Sequence, residues 1–190
     1  MKESLGPSAL AYPCPVWCVG SYDSTGKPNV MTIAWGGICC SMPPCLSVSL
    51  RKATYSYGSI MARRAYTVSV PSAQYAAQAD YFGLVSGHRA DKFQETGLTP
   101  VRSDLVDAPY VGEFPLVIEC KVIQVHEIGL HTQFIGEIMD VKADPEVLGE
   151  KGHPLMDKVA PFVYGPGIRE YWALGSMLAQ SFQVGKSLKD

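Results

Sequence analysis

Short β-type stretches, each ended by proline, glycine or a small polar cluster, recur along this chain, and only two substantial helical patterns interrupt them. At least seven such stretches can be read. A chain punctuated in this way does not alternate strand and helix as a parallel sheet requires, so it predicts a mainly β, antiparallel barrel with peripheral helices closing one end. Its 18 glycines and 14 prolines supply the turns that this architecture needs.

The elements read in order. Residues 15–23 are β-type, and Ser24, Thr25, Gly26, Lys27 and Pro28 supply a turn into a strand over residues 29–38, predicting a hairpin. Consecutive prolines at 43 and 44 remove ladder donors and force a break over residues 39–44, after which residues 46–50 alternate Leu, Val and Leu with serines. Three early strands result. Thr54 is a good N-cap, and Tyr57, Ile60, Met61 and Arg64 follow at helical spacing. Residues 66–70 return to β character. A second, alanine-rich helix runs over residues 73–85 and ends near Ser86 and Gly87, where glycine suits a C-cap. The charged segment from His88 to Gly97 is a loop or a turn of helix. Residues 116–128 and 132–141 form a long hairpin about a turn at 129–131, residues 144–152 are a loop or short helix, and residues 162–164 and 171–174 are short closing strands.

With 190 residues, 47% hydrophobic and 18% charged, the chain fits one globular domain over residues 1–190, with a core of its own or one completed by a partner subunit. A net charge of −2 offers no general attraction to nucleic acid or anionic lipid, so anions must be captured by local clusters. No apolar run approaches the roughly 20 residues needed to span a bilayer, and the first residues lack the apolar core of a secretory signal. The chain reads as soluble and cytoplasmic, its six cysteines reduced.

One such cluster stands where the strand at 46–50 gives way to the first helix. Arg51, Thr54, Tyr55 and Ser56 bring a cation, hydroxyls and helix-start amides into one turn, which are the groups a phosphate needs. Upstream, residues 29–35 pair apolar and polar strand positions with Trp35, a surface able to hold a flat apolar ring beside backbone donors and acceptors. Alternatives stay open on the residues alone. Arg51 and Lys52 also read as charges solvating a strand end, Trp35 as a core aromatic, and His131 as an ordinary turn residue.

The strings NVMTIAWGG, PP-L-V-S-L-R, TYSYGSI and SGHRADKF, in that order, are similar to the flavin reductase-like, FMN-binding split-barrel family over residues 13–172. The resemblance implies a split β-barrel of antiparallel Greek-key type, a homodimer, and one non-covalent FMN per subunit. It carries Asn29, Met31, Thr32 and Trp35 over as flavin contacts, with Val30 and Leu50 presenting main chain beside them. It makes Arg51, Thr54, Tyr55, Ser56, Ser86, Gly87 and Lys92 phosphate or ribityl contacts, and gives His131 and Tyr164 a place at the ring edge or the partner subunit. By the same resemblance the chain relays electrons from a small redox protein or NAD(P)H to an acceptor such as an oxidised sulfur compound. Two alternatives are an NAD(P)H-dependent reductase that treats FMN as a substrate, and a non-redox flavin-binding module.

Flavin carries its own redox chemistry, so no catalytic side chain is required, and neither a G-x-S-x-G elbow nor an H-E-x-x-H motif is present. No metal is assigned, although Cys14 and Cys18 with His126 or His131 form a weak candidate set. Cys39, Cys40 and Cys45 lie beside the proposed ring strand; without C-x-x-C spacing they read as structural thiols.

Overall fold

The computed structural model describes residues 1–188. Its first long pairing is the expected hairpin: after β1 (Cys14–Pro15), β2 (Trp17–Tyr22) turns back into β3 (Pro28–Ile33). Asp23 holds the turn, its Oδ1 accepting from the Thr25 and Lys27 amides at 2.8 and 2.9 Å. The second hairpin departs from the sequence reading. Residues 29–38 are not one strand. The chain leaves the sheet at Ala34 and Trp35 and re-enters as β4 (Gly36–Ser41), which turns at Met42 and Pro43 into β5 (Pro44–Arg51). The prolines therefore set the tip of a tight hairpin in which Ser41 faces Pro44. The break upstream falls at Ala34 and Trp35, and the Trp35 carbonyl accepts the Ser49 amide at 2.9 Å, extending the β4–β5 ladder by one step.

Thr54 precedes α1 (Tyr55–Arg63), which leads into β6 (Ala65–Val70). A 3₁₀ turn over Ala73–Tyr75 then opens α2 (Ala76–Leu84). Val85, in an extended conformation, ends this helix, so Gly87 is not its C-cap. Gly87 instead permits a close approach, since a Cβ there would stand 2.5 Å from Asn29 Oδ1. Next come α3 (Lys92–Thr96) and a short hairpin, β7 (Pro100–Arg102) with β8 (Pro109–Val111), which the sequence reading missed. The long hairpin is β9 (Leu116–Ile128) and β10 (His131–Ala143). After α4 (Met156–Val159), β11 (Phe162–Gly165) and β12 (Glu170–Ala173) close a small sheet with β1.

All strand pairs are antiparallel, and the main sheet runs β3-β2-β6-β9-β10-β5-β4. Its two outer strands, β3 and β4, are consecutive in sequence and joined only by Ala34 and Trp35. The sheet must therefore curl until its edges come together, and the result is an antiparallel barrel split between β3 and β4. Val19, Leu46, Val48, Leu50, Tyr66 and Phe134 fill it, and α1 contributes Ile60. On the outer face of β2 and β3, Cys18 and Val30 pack with Ala79 and Phe82 of α2, Phe93 of α3 and Phe114. Strand alternation thus builds two cores from one hairpin.

Beyond β12 the chain carries exposed Leu174, Met177, Leu178 and Phe182. No helix among the described residues is long and apolar enough to cross a membrane.

Gly20 is where the barrel tolerates no side chain. A Cβ there would lie 1.9 Å from the Pro109 carbonyl oxygen and 2.5 Å from Thr67 Oγ1, which itself donates to that carbonyl. Gly20→Ala should lower stability by about 2 to 3 kcal/mol, the upper range of overpacking costs, read as a lower urea midpoint with an unchanged slope.

Candidate functional site

Three elements converge on one cavity of about 210 Å³: strand β3, the start of α1, and the segment from the end of α2 into α3. Asn29, Met31, Thr54, Tyr55, Ser56, Ser86, Gly87 and Lys92 line it, joined by Ala53, Phe82, Gly83, Leu84 and Val85. Asn29 is buried and its Nδ2 donates to Ser56 Oγ at 2.9 Å, fixing β3 against the first turn of α1. The first amides of a helix have no intrahelical acceptor. Thr54 does not cap them, because its hydroxyl donates back to the Arg51 carbonyl at 2.8 Å. These amides are therefore left to serve an anion in the cavity they border.

Lys92 supplies the charge. It is 4% exposed, and its Nζ donates to the carbonyls of Val30 and Phe82, each at 2.8 Å. An ammonium has three donors, so one remains after the two carbonyls are served. Burial pushes this ammonium down to about 8, which is the response of a cation with no carboxylate partner in a low-dielectric site. Asp91 orients the turn by accepting from the Gln94 amide and by pairing with Lys27 at 3.3 Å.

Tyr55 anchors the opposite wall. Its hydroxyl donates to Asp23 Oδ2 at 2.6 Å, and its ring meets His88 edge-on at 4.6 Å. This bond, with the Thr25 and Lys27 groups, holds the Asp23 carboxyl well below the usual carboxylate range, while Tyr55 is pushed up to about 12. The turn of the first hairpin is thereby tied to the start of α1.

A second cavity of about 310 Å³ adjoins the first, with Gly83 and Leu84 common to both walls. Thr32 and Tyr164 meet here with Asp80, Arg169 and Tyr171. Thr32 donates to the Ala79 carbonyl, and Tyr171 donates to Asp80 Oδ1 at 2.9 Å.

The remaining expected positions lie elsewhere. Trp35 and His131 pack with ring centroids 4.6 Å apart at the split, and His131 faces the exposed Arg51 across the β10–β5 ladder. Arg51 does not line the phosphate-type cavity; its main-chain carbonyl, which holds Thr54, shapes it. Leu50 is buried in the barrel core, leaving only its main chain to the ladder, and Val30 likewise participates through its carbonyl. Of the weak metal set, Cys14 and Cys18 are buried and His126 interacts with Gln124; among the described residues no group of three or more ligating side chains is placed for a metal. Asp23, Asp80, Arg169 and the Phe82–Val85 wall were missed by sequence reasoning. A helix ending just before the SGHRADKF string was the available signal for that wall; nothing local marks Asp80 or Arg169.

The chain belongs to the flavin reductase like domain family, which it matches over residues 9–167. Among solved structures it is similar to flavoredoxin of Desulfovibrio vulgaris (Miyazaki F), 55% identical with a TM-score of 0.93, covering 97% of this chain and 100% of that one. It is also similar to flavoredoxin from Methanosarcina acetivorans, 28% identical with a TM-score of 0.92, covering 99% of each chain. An uncharacterized protein of Archaeoglobus fulgidus is 33% identical over 115 residues, 60% of this chain; the chain spans less than two thirds, 65%, of that relative's length.

Lys92 has a depressed value, so between about pH 8 and the ordinary lysine range the unfolded chain binds more protons than the folded one. Stability then rises with pH across this window, by up to about 1.4 kcal/mol per pH unit for one group. Urea unfolding between pH 7.5 and 10 should show wild type gaining on Lys92→Met as pH increases; parallel profiles would contradict the buried ammonium.

Proposed function

We propose that this chain is a single-domain FMN-binding electron-transfer flavoprotein, working as a cytoplasmic homodimer that relays electrons from a small redox protein or NAD(P)H to an acceptor. The observation that carries this reading is the buried Lys92 ammonium behind the unspent amides of α1, in a cavity that a Cβ on Gly87 would intrude upon. A phosphate monoester with close to two negative charges fits that donor set, because it matches the free N–H of Lys92, the helix start and the hydroxyl of Ser56. The 55% identical flavoredoxin supports the same reading, its full length being covered.

FMN, when bound, supplies the redox chemistry. The chain's task is to hold and orient it. Lys92, Thr54, Tyr55, Ser56, Ser86 and Gly87 would hold the phosphate and ribityl end, and Asn29 and Met31 would position the inner face of the ring. Thr32 and Tyr164, in the adjoining cavity, and the Trp35–His131 pair would then bound the space from which a donor or acceptor approaches. Arg169 and Asp80 place one charge of each sign in the wall of that second cavity. The relay to oxidised sulfur compounds rests on the likeness to flavoredoxin alone.

Dimer formation has its own support. An apolar cavity of about 410 Å³, bordered by Trp17, Ile38, Leu46, Met156, Val163 and Leu174, opens beside the exposed apolar residues that follow β12. Apolar surface of this extent is normally covered by a partner.

Lys92→Met should weaken FMN binding by about tenfold or more, the worth of one charge-assisted hydrogen bond, and should leave riboflavin within about twofold. Equal losses for both ligands, measured by fluorescence titration, would remove the phosphate from this cavity. Stopped-flow reduction separates the functional readings: fast reduction by a ferredoxin-type donor with retained yellow colour is expected, whereas rapid NAD(P)H oxidation with free exchange of FMN would favour the reductase. Sedimentation should return twice the 20.6 kDa chain mass; a flavin-loaded species at that single mass would refute the homodimer.

A further inference from the structure

Thiols gather at the end of β5 remote from Arg51, well away from the flavin-type cavity. Cys40 of β4 and Cys45 of β5 are register partners, one pair in from the Met42–Pro43 turn. Opposed residues of an antiparallel pair have Cα atoms about 4.5 to 5.5 Å apart, inside the range of about 4.4 to 6.8 Å that a disulfide spans. The two thiols both turn to the hairpin tip, Cys40 Sγ donating to the Met42 carbonyl at 3.3 Å and Cys45 Sγ to the Pro43 carbonyl at 3.4 Å. Their environments differ. Cys40 is exposed on the outermost strand of the sheet, whereas Cys45 is 3% exposed. The ladder shifts register between Ile38 and Cys40, so the exposed Cys39 sits at an irregularity without a cross-strand partner of its own.

We propose that Cys40 and Cys45 form a thiol–disulfide exchange site whose co-substrate is a low-molecular-weight disulfide. The accessible Cys40, as thiolate, attacks one sulfur of the small disulfide; the S–S bond breaks, a mixed disulfide forms on Cys40, and one small thiolate departs and takes up a proton. Cys45 then gives its proton to solvent and attacks the Cys40 sulfur, expelling the second small thiolate. Two protein thiols become one internal disulfide, the small disulfide becomes two thiols, and two electrons pass from the protein to it.

Each feature of the pair has a role in this sequence. Solvent access selects Cys40 as first attacker. Burial, then the neighbouring Cys40 and Cys39, holds the Cys45 thiol above its ordinary value, which leaves the first attack to Cys40. Consecutive Cα atoms stand about 3.8 Å apart, short of the about 4.4 Å at which disulfides begin, which disfavours a Cys39–Cys40 bridge. Four residues separate Cys40 from Cys45, so closing the ring restricts the unfolded chain little and the bond remains open to reduction by small thiols.

The test is incubation of the wild-type chain with glutathione disulfide, alkylation of the remaining thiols, and peptide mass spectrometry. The expected product has lost two hydrogens, carries a Cys40–Cys45 cross-link, and reverts with reduced glutathione. Cys45→Ser should stop at a glutathione adduct on Cys40 that persists at least tenfold longer than any adduct on wild type. A lasting adduct on wild type, a cross-link through Cys39 or Cys120, or no loss of hydrogens would each overturn the proposal. The wild-type measurement decides the matter even if the variant folds poorly.

Discussion

Two residues between the first and last strands of a seven-stranded sheet govern this molecule. Ala34 and Trp35 cannot span an open sheet, since each extended residue advances the chain by only about 3.3 Å. The sheet is obliged to wrap, and the Trp35 carbonyl ties this link to β5 by accepting from Ser49. Because the wrap is incomplete, main-chain groups along β3 are released from pairing on one side. That released side is where α2 and α3 dock and where the polar cavity opens.

The cavity owes its shape to a charge kept out of water. Lys92 donates to one carbonyl of β3 and one of α2, and so joins a strand to a helix end that backbone hydrogen bonding alone would not connect. Desolvating an ammonium is expensive unless it is well coordinated. The two carbonyls reduce that cost without neutralising the charge, and the surplus positive field points at the helix start containing Ser56. Asn29 and Tyr55 brace the same corner from the strand side. Rigidity and electrostatic preparation therefore come from one set of contacts.

How much of this was legible in the sequence depended on whether local chemistry or distant pairing was decisive. The hairpins at Asp23 and Gly129, the Thr54 helix start and the long β9–β10 ribbon were readable, because turn residues and strand alternation act within a few positions. The break at Trp35 was not, since residues 29–38 read as one β-type run and the change of ladder partner from β2 to β5 has no local mark. Gly87 was read as a helix cap when close packing against Asn29 and Tyr55 is what requires it. Arg51 and Lys92 show the same limit within the site. Both are basic residues near helix starts, yet β10 leaves Arg51 at the surface while α2 folds over Lys92. The second cavity draws on Arg169 and Tyr171, beyond the span matched to the family.

The irregular outer strand β4 has one more consequence. A straight strand at a sheet margin is a template on which identical chains can stack without limit. Here the register shift at Cys39 kinks that margin. Open-ended growth into fibres is thereby discouraged on this side.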